Sequence, residues 1–71
     1  MKYMKLTLDF HDAILNLSRF DIIQKSTDCQ HNPAINFRFI DENYGKDFLL
    51  RFDTAIERDK TFNEILEKLT Q

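Results

Sequence analysis

Two segments in the second half of the sequence alternate between large apolar residues and mostly polar ones. A period of two places such apolar residues on one face of a β-strand. Between the segments lies Gly45, the only glycine in the chain, which suits a turn that needs a positive φ. The pattern predicts an antiparallel hairpin with strands at 34–40 and 47–52. Its apolar face comprises Ile35, Phe37, Phe39, Phe48, Leu50 and Phe52.

The register predicted for this hairpin is the one that pairs the six apolar residues across the two strands. Pairing Ile40 with Asp47 leaves residues 41–46 as the loop and places Phe37 opposite Leu50. A slip of one residue would turn every apolar side chain to the other face, so we expect this register to be strongly specified.

Three further strands are predicted in the first half of the chain. Residues 4–10 alternate between apolar and polar side chains, whereas 13–17 and 20–27 are shorter or less regular. His11 and Asp12 are expected to form the reversal between the first two strands. The polar segment 28–33 ends in Asn-Pro, which is typical of a turn, and is expected to be a loop.

A single helix is predicted over residues 54–70. Thr54 and Glu57 have the spacing of a capping box, in which the threonine hydroxyl accepts a hydrogen bond from the glutamate amide. The apolar residues that follow fall on one stripe of this helix, which needs an apolar sheet face to cover. They are Ala55, Phe62, Ile65, Leu66 and Leu69. We therefore expect an α+β fold: an antiparallel sheet of four to five strands, capped by one C-terminal helix, in a single domain spanning 1–71.

Composition limits the classes of function. A chain of 71 residues has room for one domain, and 10 basic against 12 acidic residues give no basic footprint for nucleic acid. Cys29 is the only cysteine, which is typical of a reducing compartment rather than of a disulfide scaffold. No apolar run approaches the ~20 residues of a membrane span. We expect a cytoplasmic protein that does not enter a membrane and is unlikely to bind nucleic acid.

The last third of the sequence carries a pattern found in other small proteins. Residues 50–54 read Leu-Arg-Phe-Asp-Thr and are followed by Glu-Arg-Asp at 57–59, then by Phe62 and Ile65. This resembles the ends of many small uncharacterised bacterial and phage proteins, some of them similar to a reduced pleckstrin-homology fold. The resemblance implies a sheet capped by a C-terminal helix and implies no activity. The first hairpin loop, at 10–13, lacks the Lys and Arg that phosphoinositide-binding pleckstrin-homology domains place there.

Two groups of residues carry chemistry-bearing side chains. Asp9, His11 and Asp12 could ligate a metal, but a strand aligns only two of them, and turn formation explains them better. Cys29 and His31 share a loop, yet a nucleophile needs a base that a third group orients. We therefore expect no catalytic, cofactor-binding or metal-binding residues.

Arg58 falls inside the apolar stripe of the predicted helix. An arginine there could anchor an interface. The favoured alternative is that it lies along the sheet edge with its head in solvent, where it could pair with an acid such as Asp53.

The face of the hairpin opposite the phenylalanines carries two apolar residues, Ile40 and Leu49. Isolated apolar residues on a solvated face are normal. They could also form the apolar centre of an interface with a polar rim. The partner interface predicted in this way comprises Ile40, Leu49, Arg38, Arg51 and Tyr44.

These observations leave two functions open. Catalysis is not expected, because so short a chain has little volume for a concave site, and phosphate loops and nucleophile elbows are absent. The favoured hypothesis is a protein-binding module or small inhibitor that covers a partner's surface, of the kind that phages and mobile elements encode. The alternative is a structural homo-oligomer subunit, for example of a homodimer, or a small component of an assembly.

Overall fold

The computed structural model describes residues 2–8, 11–40 and 47–70, and only the backbone of Leu8. Within these ranges the chain forms five strands and one helix. They are β1 (Tyr3–Leu8), β2 (His11–Asn16), β3 (Phe20–Thr27), β4 (Pro33–Phe39), β5 (Phe48–Arg51) and α1 (Ala55–Thr70). The α+β class predicted from the sequence is confirmed.

The five strands divide between two antiparallel sheets, β1–β2 and β3–β4–β5, whereas the sequence predicted one. The chain passes from one sheet to the other through a 3₁₀ turn at Leu17–Arg19. Asn16 stabilises this turn, since its Oδ1 accepts from the Ser18 amide at 3.1 Å. Leu17 was expected to end the second strand, but it begins the 3₁₀ turn, and its side chain is fully buried in the core. The division of the sheet follows from this turn.

β2 begins earlier than the sequence predicted. His11 and Asp12 pair with Leu8 and Thr7, so they belong to a strand and do not form the reversal assigned to them. Every residue of β1, from Tyr3 to Leu8, is paired with a residue of β2. The connection between the two strands lies at 9–10, outside the described residues.

The predicted register of the β4–β5 hairpin is wrong by two residues. Phe37 lies opposite Phe48, and Ile35 lies opposite Leu50. Among the described residues, Phe37 and Phe48 are the last pair of this ladder before the connection. The loop predicted at 41–46, with Gly45, lies outside the described residues.

The end of β4 pairs with β3, along the edge of β4 that faces away from β5. Phe39 is opposite Phe20, and their ring centroids are 4.9 Å apart. The Ile40 amide donates to the Arg19 carbonyl at 2.9 Å, which extends this contact beyond the strand. Since side chains alternate with a period of two, a shift of two residues keeps every apolar side chain on the predicted face.

The core lies between the inner faces of the two sheets and α1, which contacts β4, β3 and β1. Its buried members are Met4, Leu17, Ile35, Phe37, Leu50 and Ile65. Partly buried apolar side chains pack around them: Leu6, Leu15, Phe20, Ile23, Phe48, Phe52 and Phe62.

The helix stripe is narrower than the sequence indicated. The capping threonine is confirmed, because the Glu57 amide donates to Thr54 Oγ1 at 3.1 Å. Ile65 is buried, but Leu66 and Leu69 are exposed. Leu66 lies at the margin of the stripe, and Leu69 lies in the last turn. In the part of the chain that the structure describes, no helix is long and apolar enough to cross a membrane.

Candidate binding site

The structure displaces Ile40 from the other described members of the predicted interface, whereas Arg38, Leu49 and Arg51 share the outward face of the three-stranded sheet. Ile40 is 59% exposed at the bend after β4, whereas Leu49 is half-buried opposite Asn36. Ile40 is therefore four positions along the chain from Asn36, the residue that pairs with Leu49. Arg38 is exposed, and Tyr44 lies outside the described residues.

Polar groups on this outward face of the three-stranded sheet bind one another. Asn36 Nδ2 donates to Asp47 Oδ2 at 3.1 Å. Arg51, the remaining member of the predicted interface, places its Nε 3.5 Å from Asp28 Oδ2. These contacts lie within the chain itself, so they leave less of the polar rim available for a partner.

Asp28 organises the loop between β3 and β4, a role that reasoning from the sequence missed. Its Oδ1 accepts from the amides of Gln30 and Asn32, each at 2.8 Å, and its Oδ2 accepts from Asn32 Nδ2 at 3.1 Å. The backbone hydrogen bond from Asn32 is the main reason that the pKa of Asp28 lies below its ordinary value. The available signal was an aspartate at a strand end, followed closely by Asn-Pro.

The chemistry-bearing residues singled out from the sequence that the structure describes lie in two different segments, the β3–β4 loop and β2. Cys29 is exposed, and His31 adopts a φ of 66° to turn the loop that Asp28 holds. His11 and Asp12 lie on β2, and Asp9 lies outside the described residues. Within 2–8, 11–40 and 47–70, no three side chains of His, Cys, Asp or Glu are grouped to hold a metal ion.

Arg58 connects the helix to β3. Its side chain is only 18% exposed, and its Nη1 donates to the Ser26 carbonyl at 3.1 Å. Its Nε donates to Asp59 Oδ1 at 3.1 Å, so its local acid is Asp59 and not Asp53. The hydrogen bond from Arg58 is the main reason that the pKa of Asp59 lies below its ordinary value. Arg58 thus docks the helix rather than presenting itself to a partner.

Lys25 completes this contact between the helix and the sheet. Its Nζ lies 3.4 Å from Asp59 Oδ1 and 5.3 Å from the centroid of the Phe62 ring. An ammonium group within ~6 Å of a ring face is attracted by the ring quadrupole. The β3 side of the helix is therefore closed by side chains of this chain.

The opposite side of the helix is open, and a cleft of about 370 Å³ lies there. Residues 4–7 of β1 form one wall, and residues 50–53 at the end of β5 form the other. The helix closes it with Glu57, Thr61 and Glu64. A second hollow of about 300 Å³ shares Met4, Lys5 and Glu64 with the first and continues between β1 and α1 to Glu67 and Lys68.

Both strand walls of the cleft are sheet edges. Among the described residues β1 pairs only with β2, and β5 pairs only with β4. In an antiparallel pair, alternate residues direct their N–H and C=O groups away from the partner strand. Each wall therefore presents backbone donors and acceptors to the cleft. The sequence predicted one continuous sheet, which has no gap between β1 and β5. For this reason the sequence did not indicate the cleft.

The cleft combines apolar and acidic surfaces. Met4 and Leu50, which line it, belong to the buried core. The helix contributes Glu57 and Glu64, both of them exposed. The cleft thus offers open backbone groups, apolar contacts and carboxylates within one space.

Comparison with protein-family models, with curated proteins and with solved structures finds no match for this chain.

Proposed function

We propose that this protein is a binding module that recognises another protein and catalyses no reaction. The observation that carries the proposal is the cleft in which the free edges of β1 and β5 meet. Exposed strand edges are templates for pairing with another chain, and natural proteins usually cover or charge them. Here two edges border one open space, so this is the surface on which we place the partner.

Main-chain pairing and apolar burial support this choice of surface. In strand addition, backbone hydrogen bonds supply affinity, and pockets for alternate side chains supply specificity. The cleft offers both, because core residues such as Met4 and Leu50 line it. The outward face of the three-stranded sheet is less suitable, since Asn36 and Arg51 already bind acids of the same chain.

We place this module in the cytoplasm. The exposed thiol of Cys29 supports a reducing compartment, where such a thiol stays free. The module works by occupying a surface of its partner, as a small inhibitor or adaptor does.

The test is recovery of a partner, followed by reconstitution with purified components. The tagged chain is crosslinked in its own cells, the partner is identified by mass spectrometry, and the binding of the purified pair is measured by calorimetry. Glu64→Lys, which reverses a charge in the cleft, should weaken binding about tenfold, or about 1.4 kcal/mol. The matched control Asp21→Lys makes the same charge change at an exposed position on β3 and should leave binding unchanged. Equal binding by both variants would contradict the proposed site, and turnover by the purified protein would contradict the class.

Self-association is the second candidate function. Large apolar side chains are exposed on both a strand and the helix: Ile14 of β2 is 74% exposed and Ile56 of α1 is 81% exposed. Small domains often gain stability by pairing. Sedimentation velocity over a hundredfold range of concentration distinguishes the two candidates: a binding module stays monomeric, whereas a homo-oligomer subunit shifts to a larger species.

A further inference from the structure

We infer that the cleft takes one extended, basic segment of a partner protein, which inserts as a strand between β1 and β5 and joins the two sheets. This inference rests on the proposed function and specifies its partner. It follows from the lengths of the two walls, the direction of their backbone groups and the charge of the helix beside them.

The two walls have comparable lengths. Residues 4–7 and residues 50–53 each contribute four positions to the cleft. β1 supplies all four on its side, whereas β5 ends at Arg51, and Phe52 continues its edge because the Phe52 amide donates to the Pro33 carbonyl at 2.8 Å. At about 3.4 Å per extended residue, the walls are about 14 Å and about 10 Å long. An extended segment of four or five residues covers either wall and can pair with an edge on each side. Between strands, unlike at a single open edge, an inserted segment has its N–H and C=O groups satisfied in both directions.

The side chains of an inserted strand would alternate between two environments. Those on the inner face would meet apolar core residues, Met4 and Leu50, and then the helix. Glu57, Thr61 and Glu64 are spaced four and three residues apart, so they share the side of the helix that lines the cleft. Inward-facing lysine or arginine side chains would bring their charges to Glu57 and Glu64 while their apolar stems cover the core residues.

The basic groups near the cleft do not cancel this acidic side. Arg51 is engaged by Asp28, with Nε 3.5 Å from Oδ2. Lys5 has its ammonium 3.9 Å from Asp12 on β2. The neighbouring hollow adds one charge of each sign, from Glu67 and Lys68, and so leaves the balance unchanged. Charge complementarity therefore selects a basic segment over an acidic one.

The experiment uses a synthetic probe. An 11-residue peptide of alternating lysine and valine, blocked at both ends, is titrated into ¹⁵N-labelled protein. A matched peptide replaces every lysine with glutamate. We expect the basic peptide to shift the amide signals of residues 4–7 and 50–52, to slow their hydrogen exchange, and to bind at least tenfold more tightly than the acidic peptide. Interstrand nuclear Overhauser effects from the peptide to both edges would establish insertion.

Two variants test the role of the helix carboxylates. Glu57→Gln with Glu64→Gln should reduce the preference for the basic peptide at least fivefold. Asp21→Lys changes the net charge by the same amount away from the cleft and should leave that preference intact. Equal affinity for both peptides would overturn the inferred basic partner.

The remaining outcomes separate this inference from the proposed function. Shifts at only one edge, or at Ile40 and Leu49, would overturn strand insertion while leaving protein binding in place. The same amide changes on concentrating the protein alone would identify the occupant as a second copy and overturn the inference. If no peptide perturbs either edge but the reconstituted partner is still sensitive to Glu64→Lys, the cleft binds a folded surface. In that case the inference fails and the proposed function stands.

Discussion

The guanidinium of Arg51 at the end of β5 lies 3.5 Å from the carboxylate of Asp28 in the β3–β4 loop. Ala34 of β4 lies between β5 and β3, since it pairs with Arg51 on one side and with Ser26 on the other. Directly paired residues share a sheet face, so the arginine side chain reaches Asp28 across Ala34. Ala34 is fully buried. The contact ties the loop to one wall of the cleft.

Asp28 makes the free energy of unfolding depend on pH in the acidic range. Its pKa in the folded chain lies below the ordinary value of 3.8, foremost because of the hydrogen bond from the Asn32 amide. The charged form therefore contributes stability that is fully present above that ordinary value and is lost as the pH falls through the folded pKa. We expect the free energy of unfolding to be constant near neutral pH and to fall below about pH 4.

Asp28→Asn tests this dependence, because the amide oxygen can still accept from the loop backbone but carries no charge. Urea unfolding between pH 7 and pH 2.5 should show a weaker loss of stability in acid than the wild-type chain shows. Asp59 retains a dependence of the same sign, since its folded pKa is also lowered. Asp21→Asn is the matched control and should reproduce the wild-type curve. An Asp28→Asn curve with the wild-type slope would contradict the assigned role.

The strand faces and the start of the helix were predictable from the sequence, because local patterns specify them. The alternation of Ile35, Phe37, Phe48 and Leu50 identified their common face correctly, and Thr54 identified the start of the helix. The register escaped prediction, because a slip of two residues preserves the face, so the pattern of apolar residues does not distinguish the two registers. The pairing of Phe39 with Phe20 was missed as well, since it joins distant segments and no local pattern reports it.

The candidate site could not be predicted, for a related reason. It exists because Leu17 turns the chain into a second sheet, and its walls come from β1, β5 and α1. Each of these segments reads as an ordinary strand or helix by itself. Only the tertiary arrangement brings two open edges together, so reasoning from the sequence placed the interface on Ile40 and Leu49 instead.

Arg58 should matter for helix docking. Arg58→Met keeps most of the apolar stem but removes the hydrogen bonds to the Ser26 carbonyl and to Asp59. A hydrogen bond from a charged group contributes about 1.5–3 kcal/mol, so we expect a loss of that order in the free energy of unfolding. Arg58→Lys, which retains the charge but not the forked geometry, should recover only part of the loss. Full recovery by lysine would show that charge alone accounts for the effect.

Because the buried stripe of α1 is narrow, we expect alanine substitutions at two adjacent residues to differ greatly in their effect on stability. Ile65→Ala should cost about 2–5 kcal/mol, because Ile65 is 2% exposed and its loss leaves a cavity in the core. Leu66→Ala should change stability by no more than about 0.5 kcal/mol, since Leu66 is exposed. Thermal unfolding followed by circular dichroism compares the two. Similar losses at both positions would mean that the helix packs with a broader face than the structure shows.

The last prediction decides between the two surfaces proposed for a partner. Ile40→Lys with Leu49→Lys places two charges on the outward face of the three-stranded sheet, outside the cleft. Because Ile40 is exposed and Leu49 only half-buried, we expect the double variant to stay folded. The partner should bind it with wild-type affinity, whereas Glu64→Lys should bind about tenfold more weakly. Calorimetry with the reconstituted partner measures both, with circular dichroism as the check on folding. The opposite pattern, with binding lost in the folded double variant and retained in Glu64→Lys, would place the partner on the face predicted from the sequence, and the cleft would then have no part in recognition.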